Sequence, residues 1–218
     1  MSLLQRLFGT EPVQSRYIRC EYRNGVSPDD AKVQGYLRQL QRVPESLQES
    51  MAKEGAYIVF FNGPMTDNPE LAHRKGKVIP RWVELYGDNV STFDYLSGIH
   101  IPKQKAVLMG IHGVYVPGRR DIFLHELGHS FDDLVGTRMQ GMSLSATDKV
   151  KGAIQTEPFD IDYCNHPREY VAQTFADLCW NRATRRELRQ KHPQIHKLLS
   201  EIEKKAELAR KGSLEQTT

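Results

Sequence analysis

The segment His125-Glu126-Leu127-Gly128-His129 sets two imidazoles four residues apart with a carboxylate between them. In a helix each residue turns about 100°, so His125 and His129 project on one side, one turn apart. Two imidazoles held that way can bind one Zn²⁺, and Glu126 beside them can reach a water on the metal. Zinc lowers the pKa of that water and polarises a carbonyl. Glu126 then takes the water's proton and passes it to a leaving amine, which is the chemistry of peptide-bond hydrolysis.

A catalytic zinc needs a third protein ligand and one open position. An elongated motif would require Gly and then His or Asp soon after His129, but the chain continues Ser130-Phe131-Asp132-Asp133-Leu134-Val135. An aspartate-ligand arrangement is hinted at by Gly136-Thr137, yet Met139-Gln140 follow where the Asp should stand. A glutamate on a later helix remains. Glu169 lies 40 residues past His129, in the first turn of a helix that starts at Pro167. A first-turn acid also favours the positive end of a helix dipole, so that alternative stands beside the ligand reading. Cys164 is close to Glu169 in sequence, but with a His-His-Glu set complete it reads as a core or loop residue.

The elements that position these groups follow from periodicity and caps. Tyr17 to Tyr22 alternates as a strand. Ser27-Pro28-Asp29-Asp30 opens a helix that runs to about Val43, with Val33, Tyr36, Leu37 and Leu40 on one stripe. Pro44 breaks it, and a shorter helical piece ends near Gly55. Ala56 to Phe61 is a continuous apolar run, read as a buried strand. From Gly63 to Pro102 the chain is rich in Gly, Pro, Asn and Asp, and reads as irregular apart from one short helix after Pro69. Lys105–Met109 and Gly113–Val116 read as two strands around Gly110, the second an edge to which an extended peptide could add. Arg120 to Val135 forms the HELGH helix, burying Ile122, Phe123, Leu127, Leu134 and Val135. Another helix spans Ala146 to Gln155 with Ser145 as its cap. A third runs from Pro167 to Asn181, and the rest is helical to Arg210 with a break near Pro193.

The 218 residues are 39% hydrophobic and 26% charged, enough for a packed core. The formal charge of +3 is too small to imply a nucleic-acid partner. The basic C-terminus, from Arg182 to Lys205, is interspersed with Glu187, Glu201 and Glu203 and reads as a solvated face. No apolar run approaches the roughly 20 residues of a membrane span. Three cysteines make no disulfide scaffold. Met1–Thr10 lacks the basic and apolar parts of a secretory leader. The chain as written therefore reads as cytoplasmic, or as secreted if a leader was removed. Nothing in it sets an oligomeric state.

Two paired motifs carry a family likeness. HELGHSFDD is followed by Glu169-Tyr170-Val171-Ala172-Gln173-Thr174-Phe175, and the chain resembles the lethal-factor-like zinc metallopeptidases, the group of anthrax lethal factor and the Pro-Pro endopeptidases. The stretch from Asn62-Gly63 to Pro80-Arg81-Trp82, and the tail from Arg185 to Gln194, are also similar, so the likeness spans roughly Ala56 to Ile202. It implies an α+β, zincin-like metallopeptidase domain with a small mixed sheet, an active-site helix and a helical C-terminal lobe. The chain as a whole reads as an N-terminal extension (1–14), the domain (15–210, front lobe 15–135 and back lobe 136–210) and a flexible tail (211–218), while the resemblance bears on the site. It implies zinc held by His125, His129 and Glu169, Glu126 as general base, Tyr163 as the oxyanion-stabilising phenol, and a peptide or protein substrate. Two positions depart from the family. Gln173 replaces the second glutamate, where it is expected to touch a ligand imidazole. Arg168 stands where Pro-Pro endopeptidases often carry an acid, which bears on whether Pro-Pro bonds are preferred. Trp82 is a candidate for the cleft wall. The competing function is a non-catalytic, zinc-stabilised peptide- or protein-binding module, and retention of Glu126 argues against it.

Overall fold

A computed structural model of the chain describes residues 13–79, 92–111 and 122–215. Trp82 and the strand expected at Gly113–Val116 lie outside the described residues.

Strand β1 (Arg19–Arg23) is followed by helices α1 (Ala31–Leu40) and α2 (Glu45–Lys53), then by β2 (Tyr57–Phe61), β3 (Gly98–Ile101) and β4 (Ala106–Gly110). Helix α1 starts later than expected because Asp30, not Ser27, is its cap. Asp30 Oδ1 accepts from the backbone N–H of Lys32 at 2.8 Å and of Val33 at 3.3 Å. Ser27 instead closes the preceding turn, its hydroxyl accepting from the Asp29 N–H. The four strands lie in the order β1-β2-β4-β3, with β1, β2 and β4 parallel and β3 antiparallel to β4.

The apolar run of β2 is explained by burial on both faces, as parallel strands require. Ile58 and Phe60 face the main core with α1 and the active-site helix. Val59 and Phe61 face a second cluster with Met65, Leu71, Ile101 and Leu108. Strand β4 splits the same way, Val107 and Met109 to one core, Ala106 and Leu108 to the other.

The second half is helical: α3 (Ile122–Gln140), α4 (Asp148–Thr156), α5 (Pro167–Trp180), α6 (Arg182–Lys191) and α7 (Pro193–Glu215). Helix α3 runs past the expected Val135 and stops before Gly141, whose φ of +76° suits glycine. Phe123, Leu124, Leu127 and Phe131 bury its inner face, with Phe123 stacked on Tyr36 (5.4 Å between centroids) and Phe131 packed on Phe175 (4.7 Å). Helix α4 is capped by Thr147 rather than Ser145. Ser145 is committed elsewhere: its N–H and hydroxyl donate to the fully buried Asp132 at 2.8 and 2.6 Å, tying the turn after α3 to α3 itself. Glu157 caps α7, its two carboxylate oxygens accepting from the N–H groups of Gln194 and Ile195. Its carbonyl accepts from the Tyr170 hydroxyl at 3.0 Å and lies 2.8 Å from His192 Nδ1, so one residue joins α4, α5 and α7. Helix α7 reaches Glu215, beyond the expected end at Arg210. Among the described residues, no helix is long and apolar enough to cross a membrane.

Candidate active site

Helix α3 carries His125, Glu126 and His129, and the first turn of α5 carries Glu169. The two helices approach until backbone meets backbone. A Cβ built on Gly128 would stand 2.8 Å from both Cα and O of Ala172. That contact explains the glycine inside HELGH and the alanine three residues after Glu169. It also brings the three ligand candidates together.

Their donor atoms lie within 4.8 Å of one another. His125 Nε2 is 3.1 Å from Glu169 Oε2, and His129 Nε2 is 3.7 Å from Glu169 Oε1. Two donors each about 2.05 Å from a tetrahedral ion stand about 3.3 Å apart, so these separations bracket the value a zinc site needs. Two imidazoles and a carboxylate are also a donor set suited to zinc. Burial, with the neighbouring His125, pushes the pKa of His129 well below its ordinary value against the smaller pull of Glu169. A neutral imidazole is the form that binds metal. Cys164 is buried and stands outside this group.

Glu126 faces another way. It is 7% exposed, and its Oε2 accepts from the backbone N–H of His100 in β3 at 3.0 Å. Gly98 in the same strand makes room, because a Cβ there would stand 3.0 Å from Glu126 Cγ. Strand β3 was not expected from the sequence. Its signal is the alternation Gly98-Ile99-His100-Ile101 closed by Pro102, too short to stand out in a long irregular stretch.

A cleft of about 410 Å³ joins these groups, lined by Ser97, Gly98–His100 of β3, Glu126, His129 and Glu169. Tyr163 lines it too, from the 3-10 turn Asp162–Asn165 just before α5, as do Arg74, Phe93, His166 and Arg168. Gln173 is placed differently from the expectation. It lines a separate hollow with Asp177 and His192, and its amide donates to Asp177 Oδ1 at 3.3 Å rather than to a ligand imidazole. Arg168 Nη2 donates to Asp133 Oδ2 at 2.7 Å, and that same oxygen is 3.5 Å from His100 Nδ1. Burial, with Arg168 close by, pushes His100 down to about 3.

The helix of His125 and His129, a glutamate from a second helix and a mixed sheet with an antiparallel edge strand make an α+β domain with a His-His-Glu cluster. The chain belongs to the family described as anthrax toxin lethal factor, N- and C-terminal domain, whose model matches residues 27–202. It is 26% identical over 176 residues to a Pro-Pro endopeptidase of Paenibacillus alvei, covering 76% of this chain and 74% of the relative. A solved structure of a Pro-Pro endopeptidase from Paenibacillus alvei superposes with a TM-score of 0.67 at 22% identity, over 84% of this chain and 96% of that one.

Proposed function

We propose that the chain is a zinc-dependent endopeptidase. One observation carries the reading. The Nε2 atoms of His125 and His129 converge on the Glu169 carboxylate, while Glu126 borders the same cleft on a separate anchor. Zinc at this site supplies a polarised carbonyl and a water of lowered pKa. His125, His129 and Glu169 would hold the ion. Glu126, anchored by the His100 N–H, would take a proton from the attacking water. It then delivers that proton to the amine as the C–N bond breaks. Tyr163 donates its phenolic hydrogen to the oxyanion that forms on the carbonyl oxygen.

The substrate seat follows from β3. The His100 N–H points away from β4, so by the two-residue repeat the N–H and C=O of Gly98 face the cleft as well. An extended peptide adding along this edge gains main-chain hydrogen bonds and runs past Glu126. Gly98–Ile101 is thus a seat of the kind expected at Gly113–Val116, which lies outside the described residues.

The test is digestion of a broad peptide library, including Pro-Pro peptides because of the named relative, read by mass spectrometry. Cleavage should stop with a chelator and return with zinc. Undiminished cleavage by the chelated protein, or a zinc-loaded protein that cuts nothing, defeats the proposal. The second outcome moves the chain to the binding-module reading.

A further inference from the structure

Resting on the peptidase reading, one question is what kind of side chain the cleft accepts beside the bond it cuts. Arg168 immediately precedes the ligand Glu169, and its Asp133 partner is one helical turn past the ligand His129. The guanidinium is therefore tethered between the two metal-binding helices. It lines the cleft and its side chain is 43% exposed, whereas Asp133 is 20% exposed and does not line the cleft. A guanidinium has five N–H donors. Among the described residues Asp133 accepts from one nitrogen only, Nη2. Asp133 offsets part of the charge but also fixes the planar group in place, so a ligand need not freeze a mobile side chain.

Among the described residues the lining holds a second arginine. Arg74 borders the cleft with its guanidinium carbon 4.6 Å from the centroid of Phe93, itself a lining residue. The carboxylates that line the cleft among the described residues are Glu126 and Glu169, and both are committed, one to the proton and one to the metal. A substrate lysine or arginine would meet a fixed cation with no further carboxylate on the lining among the described residues. A substrate carboxylate would meet a fork of donors shaped to receive its two oxygens.

We infer that Arg168 is a specificity-determining residue that selects substrates bearing aspartate or glutamate within two positions of the scissile bond. Arg74, at the end of the 3-10 turn Ala72–Arg74, adds to the same preference. The cleft is thus built for acidic peptides.

The experiment uses matched peptides with Glu, Gln or Lys scanned through three positions on either side of the cleaved bond. Wild type should show, at one position, about tenfold higher kcat/KM for Glu than for Gln, the size of one charge-assisted hydrogen bond, with Lys lower still. Arg168→Gln should bring the Glu to Gln ratio to about one. The double variant Arg168→Glu with Asp133→Arg keeps the ion pair with its ends exchanged, and should turn the preference toward Lys. If wild type cleaves Glu and Gln peptides equally well at every position, or if Arg168→Gln keeps the ratio, the inference is wrong while the peptidase reading stands. If no peptide is cut, the peptidase reading fails. The inference is then judged by the anisotropy of labelled Glu and Gln peptides on the same protein: a tenfold difference in Kd lost in Arg168→Gln supports it, and equal binding overturns it.

Discussion

Gly128→Ala adds one methyl group to the HELGH helix without touching a ligand. Its carbon would sit 2.8 Å from Ala172 Cα and O, where non-bonded carbons settle at about 3.5–4.0 Å. Both neighbours are backbone atoms of α5, so no side chain can swing aside. The helices must part by roughly 1 Å, which costs about 1–3 kcal/mol as an overpacked core. Alanine's better helix propensity returns about 1 kcal/mol. The net loss is therefore about 0–2 kcal/mol, or at most about 8 °C in Tm for a chain of this size. Zinc binding should suffer far more. Glu169 rides on α5, and a shift near 1 Å is several times the roughly 0.2 Å a metal–ligand distance tolerates. We expect at least about a tenfold loss of zinc affinity, measured by competition with a chromophoric chelator, beside a modest change in Tm. Gly152→Ala is the control, since its added methyl meets nothing within 4 Å in mid-α4, and it should raise stability by up to about 1 kcal/mol with zinc binding intact. A Gly128→Ala protein that binds zinc like wild type would show that the approach of α3 and α5 does not set the ligand geometry.

Glu126→Gln should retain zinc and lower peptide cleavage by at least about 10²-fold, while Tyr163→Phe should lower kcat more than it alters KM. Equal cleavage by Glu126→Gln would remove the base from its role. Glu157→Ala strips two N–H groups of α7 from their acceptor and should cost about 2–3 kcal/mol in urea unfolding, with zinc stoichiometry unchanged. The pH prediction concerns His100, whose folded pKa lies near 3, below the usual histidine value. Below about pH 6.5 the unfolded chain binds a proton that the folded chain refuses, so this residue lowers stability as pH falls, by up to about 1.4 kcal/mol per unit. Unfolding in EDTA should show a shallower acid loss for His100→Gln than for wild type, and identical pH slopes would refute the assignment.

The cluster of His125, His129 and Glu169 was legible because it is local on both sides. His125 and His129 are related by one helical turn, and Glu169 sits in the first turn of a helix opened by proline. The strands β2 and β4 were legible as apolar runs between turn residues. What stayed hidden depends on contacts between distant segments. Strand β3 has only four residues, and what defines it is pairing with β4, including Gly98 with Met109. Ser145 looked like a cap because serine three residues before an acid suits one, but buried Asp132 offered it two hydrogen bonds instead. Gln173 shares the i, i+4 spacing that pairs His125 with His129, but an acceptor on its own helix competes for its amide. The structure has it leaning onward to Asp177, one turn further along α5. Arg168 was noticed as a departure, yet its meaning required Asp133, whose spatial neighbourhood no spacing rule reveals.

Helix α3 thus divides its labour by rotation. His125 and His129 are presented to α5, where Glu169 completes the donor set. Glu126, one residue and about 100° onward from His125, is presented to β3 instead. Each side depends on a missing side chain: Gly128 lets α5 close on the ligand face, and Gly98 lets the edge strand close on the base. The same His100 N–H that orients the base belongs to the edge proposed to receive the peptide. Separate anchors for the proposed base and the proposed ligands suit the peptidase reading, because a carboxylate free to reach a bound ion would become a fourth ligand and fill the position that water must occupy.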